Sequence, residues 1–325
     1  MSVFTPLDKS QIQAILKQYD LGSLMSFQGV EEGVENSNFF VSTISEVSSK
    51  NIVDEHVLTL FENLKKNELD YFIDLQNLLS KHDLPVPRPV KTKQGGYLIE
   101  VKDKPALLAP RIRGKHPVTP TLKQCEIIGE TLAKMHIVSE KFLLSREHVH
   151  DIKWMAVASH RLQDFLEPHE KLLMDNELQL FRSYDRLGFK LPSATIHGDL
   201  FRDNTLFSGN SLNGILDFYS ASNYYCSFDL AVTVNDWCND PNGDINETAM
   251  QTLVDSYGRV RPFTQSEKEV WPVMLRYAAC RFWLSRLMTR HINPPSSKKE
   301  VLVMAKDPVE YEKRLLHLTD NSYHL

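Results

Sequence analysis

Ala194-Thr-Ile-His-Gly-Asp-Leu-Phe-Arg-Asp-Asn-Thr-Leu-Phe207, followed after a Gly/Asn/Ser turn by Asn213-Gly-Ile-Leu-Asp-Phe-Tyr219, interrupts a run of helical patterns with two short apolar segments around a polar cluster. That arrangement predicts two short strands presenting a loop with His197, Asp199 and Asn204, and places Asp217 at the end of the second apolar run.

On the C-terminal side and just before this stretch the chain reads as helix, over Leu122–Ser139, Trp154–Leu172, Leu178–Leu187, Thr248–Tyr257 and Lys268–Thr289. Further upstream the character changes. After a helical pattern over residues 8–20, with Ile12, Ile15 and Leu16 on one face, come strand-like segments Ser26–Gln28, Asn38–Thr43 and Val57–Phe61. A helix with apolar Leu69, Phe72, Ile73, Leu75, Leu78 and Leu79 covers Glu68–Lys81. Leu84-Pro-Val-Pro-Arg-Pro-Val90 must be extended, since each proline removes a donor and disfavours helix in its predecessor. Strands over Tyr97–Val101 and Ala106–Ala109 lead into Pro110-Arg-Ile-Arg-Gly114, where proline and glycine punctuate the chain. The expectation is an α+β protein of two lobes: a small β-rich lobe over residues 1–110, a hinge at 111–114, and a larger mostly helical lobe over 115–325.

The 325 residues suffice for two such cores, and 37 basic against 42 acidic side chains argue against nucleic acid or an anionic membrane held by a global basic field. A local pocket for a small anion remains open. No segment approaches the roughly 20 apolar residues needed to cross a bilayer. Cys125, Cys226, Cys238 and Cys280 are too widely spaced for a zinc ribbon and read as reduced, buried thiols. The expected setting is the cytoplasm, the expected partner a small molecule, and nothing in the sequence specifies an oligomeric state.

Asp199 and Asn204, five apart on a loop, and Asp217 are the residue types that phosphoryl transfer from ATP requires: a carboxylate to receive the acceptor hydroxyl's proton and hard oxygens for magnesium. The segment differs from the protein-kinase signature H-R-D-L-x-x-x-N followed by D-F-G mainly in reading His197-Gly198-Asp199-Leu200 and Asp217-Phe218-Tyr219. In that form it resembles the aminoglycoside phosphotransferase and choline kinase superfamily, which has a two-lobe protein-kinase-like fold. Gly33-Val-Glu-Asn-Ser-Asn-Phe39 resembles the phosphate loop of the ATP-dependent homoserine kinases within it. Other stretches also resemble that family: Leu58-Thr-Leu-Phe-Glu62, Ile215-Leu-Asp-Phe-Tyr219, Phe228-Asp-Leu230 preceding Asn235-Asp-Trp237, and Arg281-Phe-Trp-Leu-Ser-Arg286.

The resemblance implies Asp199 as catalytic base, Asn204 and Asp217 as magnesium ligands, Gly33, Asn36, Ser37 and Asn38 over the ATP phosphates, and the Pro110 carbonyl and Ile112 N–H on adenine. For an amino-acid acceptor it suggests Arg281 for the carboxylate, Asn235 and Asp236 for the ammonium and Tyr219 as a wall. A structural ion pair is the competing role for Arg281. Asp229 reads as an acceptor bonded to the catalytic loop, and His136 as packing. The implied reaction is phosphorylation of L-homoserine, in threonine biosynthesis. Choline, ethanolamine or an aminoglycoside are alternative acceptors. Thr59 stands where the superfamily carries a basic strand residue, which leaves a catalytically silent nucleotide-binding relative as a further alternative and Glu68 without an assigned partner.

Overall fold

In a computed structural model the described residues are 3–30, 36–47, 50–240, 243–293 and 307–325. They fall into two units, Met1–Arg113 and Gly114–Leu325.

The first unit is built on an antiparallel sheet of five strands, β1 (Ser23–Gly29), β2 (Asn36–Val47), β3 (Lys50–Phe61), β4 (Ile99–Val101) and β5 (Lys104–Pro110), in the order β1-β2-β3-β5-β4. Alternation along β3 sends Leu58 and Leu60 into the core and Thr59 to the other face. Helix α1 (Lys9–Leu16) begins at a capping box between Asp8 and Gln11 and buries Ile12, Ile15 and Leu16 in the same core, beside Phe39, Val41 and Leu108. Helix α2 (Lys66–Lys81) buries Leu69, Phe72, Ile73, Leu75 and Leu79.

In the second unit α3 (Leu122–Ser139) has the bounds its apolar period predicts. The helix expected over residues 154–172 is two: α4 (Ile152–Leu162) ends, and α5 (Pro168–Arg186) starts afresh with Pro168 in its first turn, where a missing N–H costs nothing. Two small antiparallel pairs follow, β6 (Ser193–Ile196) with β9 (Ser222–Tyr225), and β7 (Thr205–Ser208) with β8 (Ser211–Ile215). Helix α6 (Cys226–Trp237) is buried at every residue, and with no exposed face it has no polar stripe from which sequence reading predicts a helix. It packs between α3 and the long α8 (Gln265–His291), which also carries α9 (Pro308–Asp320); α7 (Glu247–Val260) lies on α3. The α3 to α7 approach requires Gly129, because a Cβ there would meet Leu253 O and Ser256 Oγ, each at 2.2 Å. All four cysteines are free and buried. Among the described residues no helix is long and apolar enough to cross a membrane.

Candidate functional site

The polar loop of residues 197–204 leaves the buried end of β6 and is held from beneath by α6. Asp229, in the first turn of that helix, accepts the His197 N–H at Oδ2 and the Gly198 N–H at Oδ1, both at 2.8 Å. Two successive N–H groups converge on one carboxylate because Gly198 has φ of +78°, a conformation that glycine adopts without penalty. Asp229 is itself wholly buried, and its second layer is His136 on α3, whose Nε2 lies 3.0 Å from Oδ2 and whose Nδ1 lies 2.7 Å from the Tyr257 hydroxyl. Burial opposes charge on both groups. Even so, His136 holds the Asp229 carboxyl below the ordinary carboxylate range, and Tyr257 and Cys226, together with the hydrogen bond to Asp229, hold the His136 imidazole well above its usual value. His136 therefore does more than fill space: it neutralises the carboxylate that shapes the loop.

His197 closes the loop from inside. Its Nε2 donates to the Leu216 carbonyl at 2.9 Å, which leaves Nδ1 as acceptor for the Asp199 N–H at 3.3 Å. Burial lowers its pKa, so the ring is neutral in that tautomer. Asn204 donates from Nδ2 to both the Asp199 carbonyl, at 2.8 Å, and Oδ2, at 3.2 Å, and its own carbonyl accepts the Leu216 N–H. These bonds bring the Asp199, Asn204 and Asp217 segments together. Asp217 takes φ 57° and ψ 65°, the left-handed region; for a residue other than glycine that stores about 1 kcal/mol or more, a cost often met at functional sites. Half-buried Tyr219 follows in the short turn Phe218–Ser220.

Asp236 accepts both the backbone N–H (2.7 Å) and Nε (3.1 Å) of Arg202, and Trp237 donates to the Leu200 carbonyl at 3.1 Å. Asp236 is thus a fastener of the loop. Asn235, expected at the substrate, lies instead between helices: its Nδ2 donates to the carbonyls of Ala231 and Leu275, and it is fully buried. Arg281 on α8 is only 7% exposed. Its Nη2 donates to His150 Nδ1 at 3.2 Å, and its buried Nε has no partner. Burial lowers its pKa, and the carboxylate acting most strongly against that is Asp199. The described residues offer it no ion-pair partner of the structural kind.

In the first unit, Asn36, Ser37 and Asn38 lie in β2 and not in a loop, and Gly33 falls outside the described residues. Ser37 is wholly buried, and its hydroxyl donates to Glu62 Oε1 at 2.5 Å while accepting from the Thr5 N–H, so it braces the sheet and is not presented to a ligand. Asn36 Oδ1 accepts from the Glu62 N–H. Asn38 Oδ1 accepts from Thr59 at 2.7 Å, which makes its Nδ2 the side chain's outward donor. Glu62 also pairs with Lys104, an ion pair joining chain positions 42 apart that no local sequence pattern announces. Glu68 caps its own helix through the Lys65 N–H, and Lys65 and Lys66 are exposed. Pro110 ends β5; Arg111 donates to the Glu55 carbonyl, and Ile112 follows as the next N–H. Leu108 and Val41 are core residues.

Residues 26–263 match the model of the family described as "Phosphotransferase enzyme family". The chain belongs to that family. It is 39% identical over 325 residues to a homoserine kinase of Pseudomonas aeruginosa (strain LESB58), covering 100% of this chain and 99% of that one. It is 37% identical over 317 residues to a homoserine kinase of Methylobacillus flagellatus, covering 98% and 95%. Among solved structures, an amicoumacin kinase in complex with AMP-PNP and Ca2+ superimposes with TM-score 0.68 at 10% identity over 97% of this phosphotransferase and 95% of that chain. A choline kinase from Cryptosporidium parvum gives 0.61 at 15% identity over 96% and 95%. The fold of this phosphotransferase is accordingly the two-lobe, protein-kinase-like α+β fold.

Proposed function

We infer that this chain is an ATP-dependent kinase that transfers the γ-phosphoryl group to the side-chain hydroxyl of L-homoserine, giving O-phospho-L-homoserine, a step of threonine biosynthesis. The observation that carries the reading is similarity to homoserine kinases along the full length, at 37–39% identity.

In such transfers the protein contributes positioning and charge stabilisation. Asp199 is assigned to orient the acceptor hydroxyl and take its proton; Asn204 fixes that carboxylate through Nδ2. Because the Asn204 amide nitrogen is turned to Asp199, its oxygen is the atom left for a cation. With the Asp217 carboxylate it makes a hard-oxygen pair that fits magnesium, an ion that keeps several waters and takes few protein ligands. Magnesium, bound with the nucleotide, would offset charge on the phosphate oxygens. On the first unit, Gly33 and the Asn38 amide are assigned to the phosphates, and the Pro110 carbonyl and Ile112 N–H to adenine. With Thr59 in the strand position and Lys104 paired to Glu62, neutralisation rests on the metal and these donors.

Arg281 is assigned to the substrate carboxylate, which would satisfy the unpartnered Nε. A buried guanidinium facing Asp199 would repel the quaternary cation of choline, and this favours the amino acid. Turnover with ATP and Mg2+ against homoserine, serine, threonine, choline and an aminoglycoside is the test, on the wild type and on Asp199→Asn. Homoserine should be preferred, and the substitution should lower its turnover by roughly 10³-fold or more. Choline as the sole acceptor would refute the substrate; an active Asp199→Asn would refute the base.

A further inference from the structure

Arg281 has a hydrogen-bond partner that is unusual for a buried guanidinium, a histidine. Arginine has donors only, so the 3.2 Å contact from Nη2 requires that His150 Nδ1 carry no proton and act as acceptor. The setting enforces this. The His150 ring stands edge-on to Trp154 at 4.7 Å between centroids, and burial together with the Arg281 charge drives its pKa down to about 3.

The segment that delivers His150 is strapped in place. Arg146 accepts the Asn223 N–H at its carbonyl and donates its own N–H to Asn223 Oδ1, Glu147 bridges to Asn223, and Arg146 Nη1 donates to the Ala221 carbonyl. Two residues on, the His148 ring stacks on Tyr224 at 4.2 Å, packs edge-on against Phe228 at 5.2 Å and has Nδ1 2.9 Å from the Ser222 hydroxyl. The Arg281 guanidinium also lies 3.9 Å from the Phe282 ring. The guanidinium plane is thereby fixed by a ring and by one hydrogen bond, and its Nε–H is left buried and unpaired. An unmet buried donor costs roughly 1–3 kcal/mol unless a ligand satisfies it.

We propose that His150 is a positioning residue for carboxylate recognition: its unprotonated Nδ1, held against β9 by the strap of residues 146–148, sets the Arg281 guanidinium so that Nε–H and the remaining N–H groups meet the substrate carboxylate. This rests on the assignment of Arg281 to the acceptor's carboxylate. A carboxylate is what separates the amino-acid acceptor from the amino alcohol that lacks it, so His150 governs selectivity between the two while touching neither.

The test compares homoserine with 3-aminopropan-1-ol, which has the same hydroxyl and amine and no carboxylate. Steady-state kcat and KM for both acceptors, and KM for ATP, are measured on the wild type, His150→Leu and His150→Asn. Asparagine places an amide oxygen near the site of Nδ1 and restores the acceptor; leucine does not. The wild type should favour homoserine. In His150→Leu the ratio of kcat/KM for homoserine to that for 3-aminopropan-1-ol should fall about tenfold, through a raised KM for homoserine, the size expected for one hydrogen bond to a charged group. His150→Asn should recover most of the ratio. A ratio unchanged in His150→Leu, both acceptors declining together, or His150→Asn no better than leucine would overturn the proposal. Failure of the wild type to use homoserine at all would overturn the functional reading as well, and is seen in the first arm alone.

Discussion

Replacing Asp229 by asparagine keeps the volume and removes the charge on which the catalytic loop hangs. In the folded chain this carboxylate accepts two backbone N–H bonds at 2.8 Å and faces His136 at 3.0 Å, with no exposure to water. An amide presents one oxygen, so one of the two N–H groups loses its acceptor and faces an NH2 instead. Each hydrogen bond to a charged group is worth about 1.5–3 kcal/mol, and removing one member of a buried ion pair costs about 3–5 kcal/mol. Because the terms share the same atoms they do not add, and about 4 kcal/mol is the expected loss. For a unit of this size that lowers the unfolding midpoint by roughly 10 °C. A loop shifted by even an ångström should also lose on the order of 10²-fold in kcat. Thermal unfolding and steady-state turnover of homoserine measure both. The pH dependence follows from the same pair. Asp229, depressed below 3.8, contributes stability that is present above that pH and lost as pH falls through its folded value. His136, raised above 6.5, contributes stability that is complete below 6.5 and lost as pH rises through its elevated value. The gap between wild type and Asp229→Asn should therefore be widest between about pH 4 and 6.5. A variant within 1 kcal/mol of wild type across that window, with kcat within about threefold, would refute this account of the loop.

Arg281→Met should raise KM for homoserine by roughly 100-fold with little change in KM for ATP, since a buried charge partner of the carboxylate is lost; equal effects on both substrates would speak for a purely structural arginine. Asp217→Asn should require markedly more Mg2+ for half-maximal turnover, read by titrating the metal at fixed ATP, because one of two hard-oxygen ligands loses its charge. Gly129→Ala drives a methyl group to 2.2 Å from Leu253 O and Ser256 Oγ, so denaturant unfolding should reveal a loss of about 1–3 kcal/mol as α3 and α7 separate. Ser37→Ala should destabilise the chain by about 1–3 kcal/mol, leaving the Glu62 carboxylate short of a donor, whereas KM for ATP should stay within about twofold if the hydroxyl only braces the sheet.

The parts of the chain legible in sequence were those where neighbouring residues see the same environment. The alternation at Leu58 and Leu60 and the apolar period of α3 report a half-buried strand and a half-buried helix directly, and the polar loop between two apolar runs was visible for the same reason. Helix α6 escaped because almost none of it meets water, so the pattern that distinguishes a helix was erased. Asn36, Ser37 and Asn38 look like loop residues until their partners are known, and Thr59 and Glu62 stand more than 20 positions on. The same holds for Asn235, whose amide answers carbonyls of its own helix and of α8, and for His150, 131 positions from the arginine it holds. Polarity is local in sequence, but its satisfaction is not.

The complete enclosure of α6 has a consequence for how the enzyme fails. Asp229, Asp236 and Trp237 reach the catalytic loop from a helix that has no stable existence outside its neighbours. A molecule that has lost the packing of α3 or α8 has also lost the anchors of its loop, so activity should be lost with that packing. Inactivation on heating should therefore track the unfolding of the second unit, read by turnover and circular dichroism on the same samples.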